Sequence, residues 1–210
     1  MNKELIAKKV AEYIPGNSIV NLGIGLPTLV ADYLPPEKQV LLHSENGLLG
    51  ITKANGLENE NLVNAGGELV GLVPGACSFD SSMSFSIIRG GHIDITVLGG
   101  LEVSVKGELA NWIIPGKFVP GMGGAMDLTT NSKMVIVAMS YFAKGKPKLV
   151  NELSHPKTSE RPIDLIVTEL GVFKPAGQSF EIIEIFDHSA FSEMVSNSEV
   201  IFDKKNHLYS

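Results

Sequence analysis

The chain has 210 residues, of which 44% are hydrophobic and 19% charged, and this composition excludes a disordered protein. Its 17 Lys and Arg side chains against 23 Asp and Glu give a formal net charge of −6, and without a basic stripe we expect no nucleic-acid partner. No apolar run approaches the roughly 18 residues of a membrane span, so we expect no membrane partner either. The length suits a single domain over residues 1–210, and one cysteine, which cannot form an internal disulfide, predicts a cytoplasmic location.

Apolar periodicity and glycine or proline breaks predict alternating helices and strands. In chain order these are a helix over 3–14, a strand over 18–23, a short helix over 28–34, strands over 39–44 and 62–65, a helix over 81–89, strands over 93–98, 133–139, 165–172 and 181–186, and a last helix capped by Ser189 and ending near residue 196. The alternation predicts the α/β class, as a layered domain with a mainly parallel sheet.

The strand predicted over 39–44 ends in a carboxylate, Glu45, which is flanked by Ser44, Asn46 and Gly47. A buried strand end cannot hold an unpaired charge cheaply, and ligands of open α/β sheets bind at the carboxyl ends of the strands. No second carboxylate lies nearby for acid–base pairing, and no spacing of His, Cys or Glu residues suggests a metal site. Glu45 is therefore a candidate nucleophile, and the alternative is a solvated or helix-capping glutamate.

Two glycine-rich segments are candidate ligand-binding turns. In residues 121–127, four small residues within five positions allow successive backbone N–H groups to point at one atom, as in an oxyanion hole, or else form a tight turn before a helix. Residues 21–28 hold Gly-x-Gly between a strand and a helix but lack the third glycine of the dinucleotide fingerprint, which argues against a nucleotide cofactor. Cys77 has no basic neighbour and is predicted to be a small packed residue.

Six segments of the chain, in this order, resemble the β subunit of 3-oxoacid CoA-transferases. They are Ser-Glu-Asn-Gly at 44–47, Asn-Ala-Gly-Gly at 64–67, and the segments at 84–94, 110–117, 121–128 and 167–173. The resemblance implies a three-layer α/β/α CoA-transferase-type fold. It also implies a separate α subunit of similar fold, which completes the active site, typically in an α2β2 assembly.

The resemblance further implies roles for individual residues. They are the catalytic nucleophile Glu45, the oxyanion or substrate-binding residues Gly123, Gly124 and Ala125, and the possible site-lining residues Ser44, Asn46 and Gly47. The nucleophile would attack an acyl-CoA carbonyl, pass through an acyl–glutamyl anhydride and form a glutamyl-CoA thioester, which the acceptor carboxylate then attacks in ping-pong turnover. No metal or cofactor is expected, because the CoA thioester is itself a substrate and glutamate is ionised at neutral pH.

The substrates implied by the resemblance are a short acyl-CoA, such as succinyl-, acetyl- or acetoacetyl-CoA, and a carboxylic or 3-oxo acid of ketone-body or short-chain fatty-acid metabolism. The chain departs from the family pattern at Ser140-Tyr141, where Glu-His is common, and over 153–158, so the donor and acceptor stay open. Two alternatives also stay open: an acyl-CoA hydrolase of the same fold, in which water takes the glutamyl intermediate, and a non-catalytic assembly partner.

Overall fold

The structure is a computed structural model that describes residues 3–54, 56, 60–113, 116, 122–196 and 198–204. Parts of two predicted motifs, residues 114–115 and 117–121, lie outside the described residues. The described elements are, in chain order, α1 (Lys3–Glu12), β1 (Ile19–Leu22), 3-10 helices at Leu26–Tyr33 and Pro36–Lys38, β2 (Leu41–Ser44), β3 (Leu48–Lys53), β4 (Val70–Ser78), α2 (Ser81–Arg89), β5 (Ile95–Leu98), β6 (Glu102–Ser104), β7 (Leu109–Ala110), α3 (Ala125–Asn131), β8 (Met134–Ala138), β9 (Phe142–Ala143), β10 (Lys146–Pro147), β11 (Leu149–Val150), β12 (Leu165–Val167), β13 (Gly171–Pro175), β14 (Phe180–Ile185), α4 (His188–Val195) and β15 (Phe202–Lys204).

One ten-stranded sheet organises the described chain, in the order β15-β14-β13-β12-β8-β5-β1-β2-β3-β4. Its central strands β12, β8, β5, β1 and β2 are all parallel to their neighbours in this set. The strands beyond them pair antiparallel through β13 and β14 on one side and through β3 and β4 on the other, and the edge strand β15 pairs parallel with β14. The predicted α/β class with a mainly parallel sheet is confirmed.

Helices cover both faces of the sheet, and strand β8 shows the division. Val135 and Val137 belong to one buried apolar cluster, with Phe173 and Phe180, whereas alternate side chains of the same strand join a second cluster with helix α1. This alternation is expected of a strand that is buried on both faces. The three predicted layers follow from it.

The connections of β1 and β5 leave the sheet on opposite faces. Strand β1 continues into the 3-10 helix Leu26–Tyr33, which packs against α1. On β5, Thr96 faces the other side, where its hydroxyl lies 2.6 Å from the Ser132 hydroxyl at the end of α3. Ligands of open α/β sheets bind where such connections diverge, at the carboxyl ends of the strands.

Two predicted strands differ in the structure. Residues 62–65 form only one isolated bridge, between Val63 and Leu69, because the Gly67 amide donates to the Asn64 carbonyl and turns the chain back. Residues 165–172 form two antiparallel strands, β12 and β13, since the Thr168 amide donates to the Gly171 carbonyl at 2.9 Å.

Smaller corrections concern helix ends and the edge of the sheet. Helix α4 is capped by Asp187, whose carboxylate accepts hydrogen bonds from the amides of Ser189 and Ala190, so Ser189 is not the cap. The helix predicted over 28–34 is a 3-10 helix that starts two residues earlier. Cys77 is exposed on the edge strand β4, which was not predicted, so the prediction of a packed cysteine is wrong. No described helix combines the length and apolarity needed to cross a membrane.

Candidate active site

Glu45 lies directly after β2, at the carboxyl end of the parallel strands and beside the end of β1. Its carboxylate is half-buried, and the Asn21 side-chain amide donates to Glu45 Oε2 at 3.1 Å. Asn21 is fully buried in β1, where it is paired in register with His43 of β2. The Asn21 side chain therefore holds Oε2 of Glu45, and Oε1 has no hydrogen-bond partner among the described residues.

A tight turn after Glu45 depends on Gly47. This glycine has a φ of 116°, and a β-carbon at this position would overlap the Phe79 carbonyl oxygen. The Gly47 amide donates to the Ser44 carbonyl, and the Phe79 amide donates to the Gly47 carbonyl. Gly47 lines neither of the cavities around Glu45. Its small size serves the turn that presents the carboxylate.

Ser44 and Asn46, on either side of Glu45, tie the turn to the segment that follows β3. The Ser44 hydroxyl is buried and accepts a hydrogen bond from the Ala65 amide at 2.9 Å. The exposed Asn46 donates its side-chain amide to the Val63 carbonyl at 2.8 Å. Ser44 lines a cavity, whereas Asn46 holds the turn without lining either one.

A buried polar network supports the carboxylate from β1, β2 and α2. The Asn21 side-chain nitrogen lies 3.2 Å from His43 Nδ1, and His43 Nε2 lies 3.1 Å from the Ser84 hydroxyl. Because an amide nitrogen can only donate, Nδ1 accepts and the imidazole proton belongs on Nε2. Burial lowers the pKa of His43 to about 4, so the ring is neutral near neutral pH. Asn21 Oδ1 is buried with no partner among the described residues.

His43 should make the protein sensitive to acid. Its pKa is depressed to about 4 from 6.5, so the unfolded chain binds more protons between these values and stability falls as pH falls through this window. Between pH about 7 and about 4, we expect the free energy of unfolding to fall by about 2 kcal/mol less in His43→Gln than in the wild type. Thermal unfolding of both proteins across this range measures the difference, and equal losses would contradict it.

Gly124 brings the glycine-rich turn close to Glu45. A β-carbon at Gly124 would lie 3.3 Å from Glu45 Cγ and 3.6 Å from Oε1. The Gly124 amide has no acceptor among the described residues, whereas the Ala125 amide donates to the Met122 carbonyl at 3.3 Å. Gly123 has a φ of 55° and precedes them in the same turn. The turn therefore lies beside Glu45, and Gly124 offers the freer donor.

Gly124→Ala is expected to lower kcat by about 10- to 100-fold, because the added methyl displaces Glu45. The φ of Gly124 is −78°, which suits alanine, so the substitution does not strain the backbone. The thermal midpoint should change little. Gly99→Ala is the matched control. Gly99 and Gly124 line one cavity, and a β-carbon at Gly99 would meet no atom within 4 Å. Equal losses of activity in the two variants would show that crowding of the cavity, rather than contact with Glu45, is responsible.

Two cavities meet at Glu45, which lies in the wall of both, together with Ile24 and Ala65. The first, of about 390 Å³, is surrounded by β2, β3 and the 3-10 helix Leu26–Tyr33; we call it the apolar cavity. The second, of about 610 Å³, is lined by Gly99, Gly100 and the Met122–Ala125 turn; we call it the glycine-lined cavity. Both volumes are typical of small-molecule sites.

The segment over 153–158, which departs from the family pattern, contacts the wall of the glycine-lined cavity. The Thr158 hydroxyl donates to Asn111 Oδ1 at 2.7 Å, and the Trp112 indole N–H lies 3.4 Å from the Lys157 carbonyl. Asn111 and Trp112 both line this cavity. Residues 157 and 158 therefore contact residues that line the glycine-lined cavity but do not line it themselves.

Comparison with known proteins identifies the family of the chain. A family model described as coenzyme A transferase matches residues 3–192. The chain belongs to the coenzyme A transferase family. The beta subunit of the acetate CoA-transferase of Escherichia coli (strain K12) is 48% identical over 202 residues, which cover 96% of this chain and 93% of that protein. One subunit of the probable succinyl-CoA:3-ketoacid coenzyme A transferase of Bacillus subtilis (strain 168) is 43% identical, and the match covers 95% of this chain and 94% of that protein. The predicted resemblance to this family of enzyme subunits is confirmed.

Solved CoA-transferases share the fold at lower identity. An acyl-CoA transferase of Escherichia coli O157:H7, in a thioester complex with CoA, has a TM-score of 0.71 and 20% identity; the alignment covers 96% of this chain but 42% of that one. The chain thus spans about two fifths of that transferase. Glutaconate coenzyme A-transferase from Acidaminococcus fermentans has a TM-score of 0.59 and 18% identity, covering 83% and 74%. These likenesses show the fold.

Sequence reasoning missed the buried polar residues that support Glu45, namely Asn21, His43 and Ser84. Each is a polar side chain with at most 1% of its surface exposed. His43 could have been found, because it lies two residues before Glu45 in a predicted strand. Ser84 could not, since α2 reaches the network only in the folded chain. Among the described residues, no cluster of three or more His, Cys, Asp or Glu side chains could hold a metal ion.

Proposed function

We propose that this chain is the catalytic β subunit of an enzyme that moves CoA between a short acyl-CoA and a carboxylic or 3-oxo acid. The observation that carries the proposal is the position of Glu45, an oriented carboxylate where two cavities meet, beside the Gly124 amide, which has no acceptor among the described residues. The names of the relatives supply the substrate class: acetate, succinyl-CoA with 3-ketoacids, and 3-oxoadipate.

Glu45 attacks the thioester carbonyl of the donor, and the Gly124 amide stabilises the oxyanion as charge develops there. The carbon–sulfur bond breaks, CoA thiolate leaves and an acyl–glutamyl anhydride remains. The thiolate then attacks the Glu45 carbonyl, releases the donor carboxylate and forms the glutamyl-CoA thioester. An acceptor carboxylate attacks this thioester, and the steps run in reverse to give the new acyl-CoA and free Glu45.

The chain's own groups supply orientation rather than proton transfer. Asn21 holds Glu45 Oε2, so the other oxygen is directed towards the substrate, and the neutral His43 holds the Asn21 amide in place. An ionised carboxylate needs no general base, and neither a metal nor a cofactor enters the steps. Ala125 can act as a second donor once its amide turns from the Met122 carbonyl, which it meets at a long 3.3 Å.

An α subunit is the expected partner, because several relatives that match most of the chain are named as beta subunits. We propose an α2β2 assembly in the cytoplasm. Ile24, 67% exposed in the wall between the two cavities, lies where a partner would exclude water from the anhydride.

The assembled enzyme should transfer CoA rather than release it. The test is co-expression with the α subunit, followed by incubation with acetoacetyl-CoA and labelled acetate. Labelled acetyl-CoA without loss of total thioester is the expected result. Free CoA appearing without labelled product would identify the hydrolase instead. Neither product, in a complex shown to bind acyl-CoA, would favour the non-catalytic partner.

A further inference from the structure

We propose that the apolar cavity beside Glu45 binds the hydrocarbon chain of the acyl group and selects uncharged, short fatty acyl chains over dicarboxylic ones. The inference rests on the proposed function and goes further by naming which of the two cavities takes the acyl chain. Its evidence is the lining, the charge and the position of this cavity.

Aliphatic residues make up half of the described residues that line the cavity. They include Leu22 of β1, Leu29 of the 3-10 helix, Leu42 of β2, Ile51 of β3, and Leu69 and Val70 before and in β4. Burial of methylene groups against such a wall is favourable, by a factor of about fourfold per methylene, the equivalent of about 0.8 kcal/mol. A cavity of about 390 Å³ has room for a chain longer than acetyl.

The charges around this cavity disfavour a second carboxylate. Asp32, Glu45 and Glu68 line it, against one ammonium group among the described lining residues, that of Lys53. The Lys53 ammonium is already 3.1 Å from Asp32 Oδ1. The terminal carboxylate of a succinyl group would therefore enter an apolar space with an excess of negative charge and, among the described lining residues, no free cationic partner.

The position of the oxyanion donor assigns the two cavities. The tetrahedral carbon formed at Glu45 carries an oxyanion, a sulfur and the acyl chain. These three substituents point in different directions. Gly124, the proposed oxyanion donor, lies in the wall of the glycine-lined cavity, which is also the larger of the two. That cavity suits the long CoA arm with its amide groups, so the acyl chain is directed into the apolar cavity on the other side of Glu45.

The test uses the co-expressed complex, with isotopically labelled acetate as fixed acceptor and acetyl-, butanoyl-, hexanoyl- and succinyl-CoA as donors, and it follows the formation of labelled acetyl-CoA. In the wild type we expect kcat/KM for butanoyl-CoA to exceed that for acetyl-CoA and for succinyl-CoA, each by about tenfold. Ala31→Leu, which fills the cavity from the 3-10 helix, should reduce the butanoyl-to-acetyl ratio at least about fivefold. Leu29→Ala, which enlarges it, should raise the hexanoyl-to-butanoyl ratio. Ala143→Leu, on the exposed strand β9 and outside both cavities, is the control.

Unchanged donor ratios in both Ala31→Leu and Leu29→Ala, with CoA transfer intact, would overturn the cavity assignment and leave the proposed function standing. A wild-type preference for succinyl-CoA over butanoyl-CoA would overturn it as well. If Ala31→Leu no longer copurifies with the α subunit while Ala143→Leu does, the partner occupies the cavity and the inference fails. Absence of transfer from every donor would overturn the proposed function and this inference together.

Discussion

Glu45→Gln is expected to lower kcat of the assembled enzyme by at least about 1,000-fold, a loss of about 4 kcal/mol of transition-state stabilisation. The amide cannot attack a thioester, yet it has the size of the carboxylate and can still accept the hydrogen bond from Asn21 through its oxygen. Folding and assembly with the α subunit should therefore persist. Steady-state CoA transfer, size-exclusion chromatography and thermal unfolding measure these three properties.

The matched control is Glu37→Gln, which makes the same substitution at an exposed position in the 3-10 helix that precedes β2. It should keep wild-type activity. Mass spectrometry must confirm that the amide introduced by Glu45→Gln has not deamidated back to glutamate. Activity within about tenfold of wild type in an undeamidated variant would remove Glu45 from the mechanism.

Gly47→Ala is expected to destabilise the chain by about 3 to 5 kcal/mol, the sum of an unfavourable φ and a steric overlap. Its φ is 116°, and a β-carbon there would overlap the backbone carbonyl of Phe79, which has no flexible end to move aside. Low yield of the complex or a strongly lowered thermal midpoint is the expected result.

Gly145→Ala separates the two contributions. Gly145 has a φ of 78°, but a β-carbon there meets no atom within 4 Å, so only the backbone cost of about 1 kcal/mol applies. If both variants lose the same stability, the overlap with Phe79 contributes nothing and the turn after Glu45 is more adaptable than its geometry indicates.

Glu45 could be singled out from sequence as the candidate nucleophile because the signals around it are local. Apolar residues before Ser44 predicted a strand, Glu45 interrupted them, and Gly47 provided the turn, all within one short segment. The resemblance then placed Gly124 beside Glu45, although 79 positions separate them, and the 3.3 Å approach of the Gly124 β-carbon position agrees with that. Both Glu45 and Gly124 could be chosen as candidate site residues from their positions within sequence motifs.

The support beneath Glu45 could not be predicted, because it depends on contacts between distant segments. Asn21 is 24 residues from Glu45 in sequence, and Ser84 is 41 residues from His43. Their meeting depends on β1 and β2 lying side by side in register and on Ser84 of α2 coming within hydrogen-bond distance of His43. Side-chain hydrogen bonds of this kind leave no periodic pattern in the sequence.

The edges of the sheet were also beyond sequence reasoning. Strand β4 contains Pro74 and Gly75, which argue against a strand interior but are tolerated on an edge strand. Strands β12 and β13 read as one apolar run because the turn between them spans only Thr168–Leu170. Strands β1, β2, β5 and β8, where apolar runs are separated by clear breaks, were predicted closely.

The central claim is that Glu45 carries CoA during turnover, and chemical trapping tests it most directly. The complex with the α subunit would be incubated with a short 3-oxoacyl-CoA and no acceptor, then reduced with borohydride, digested and analysed by mass spectrometry. Borohydride reduces a glutamyl thioester to the primary alcohol with release of CoA. We expect the peptide that contains Glu45 to carry this alcohol, and Glu45→Gln to show none. An unmodified Glu45 peptide from a complex shown to bind the acyl-CoA and to transfer CoA would contradict the account.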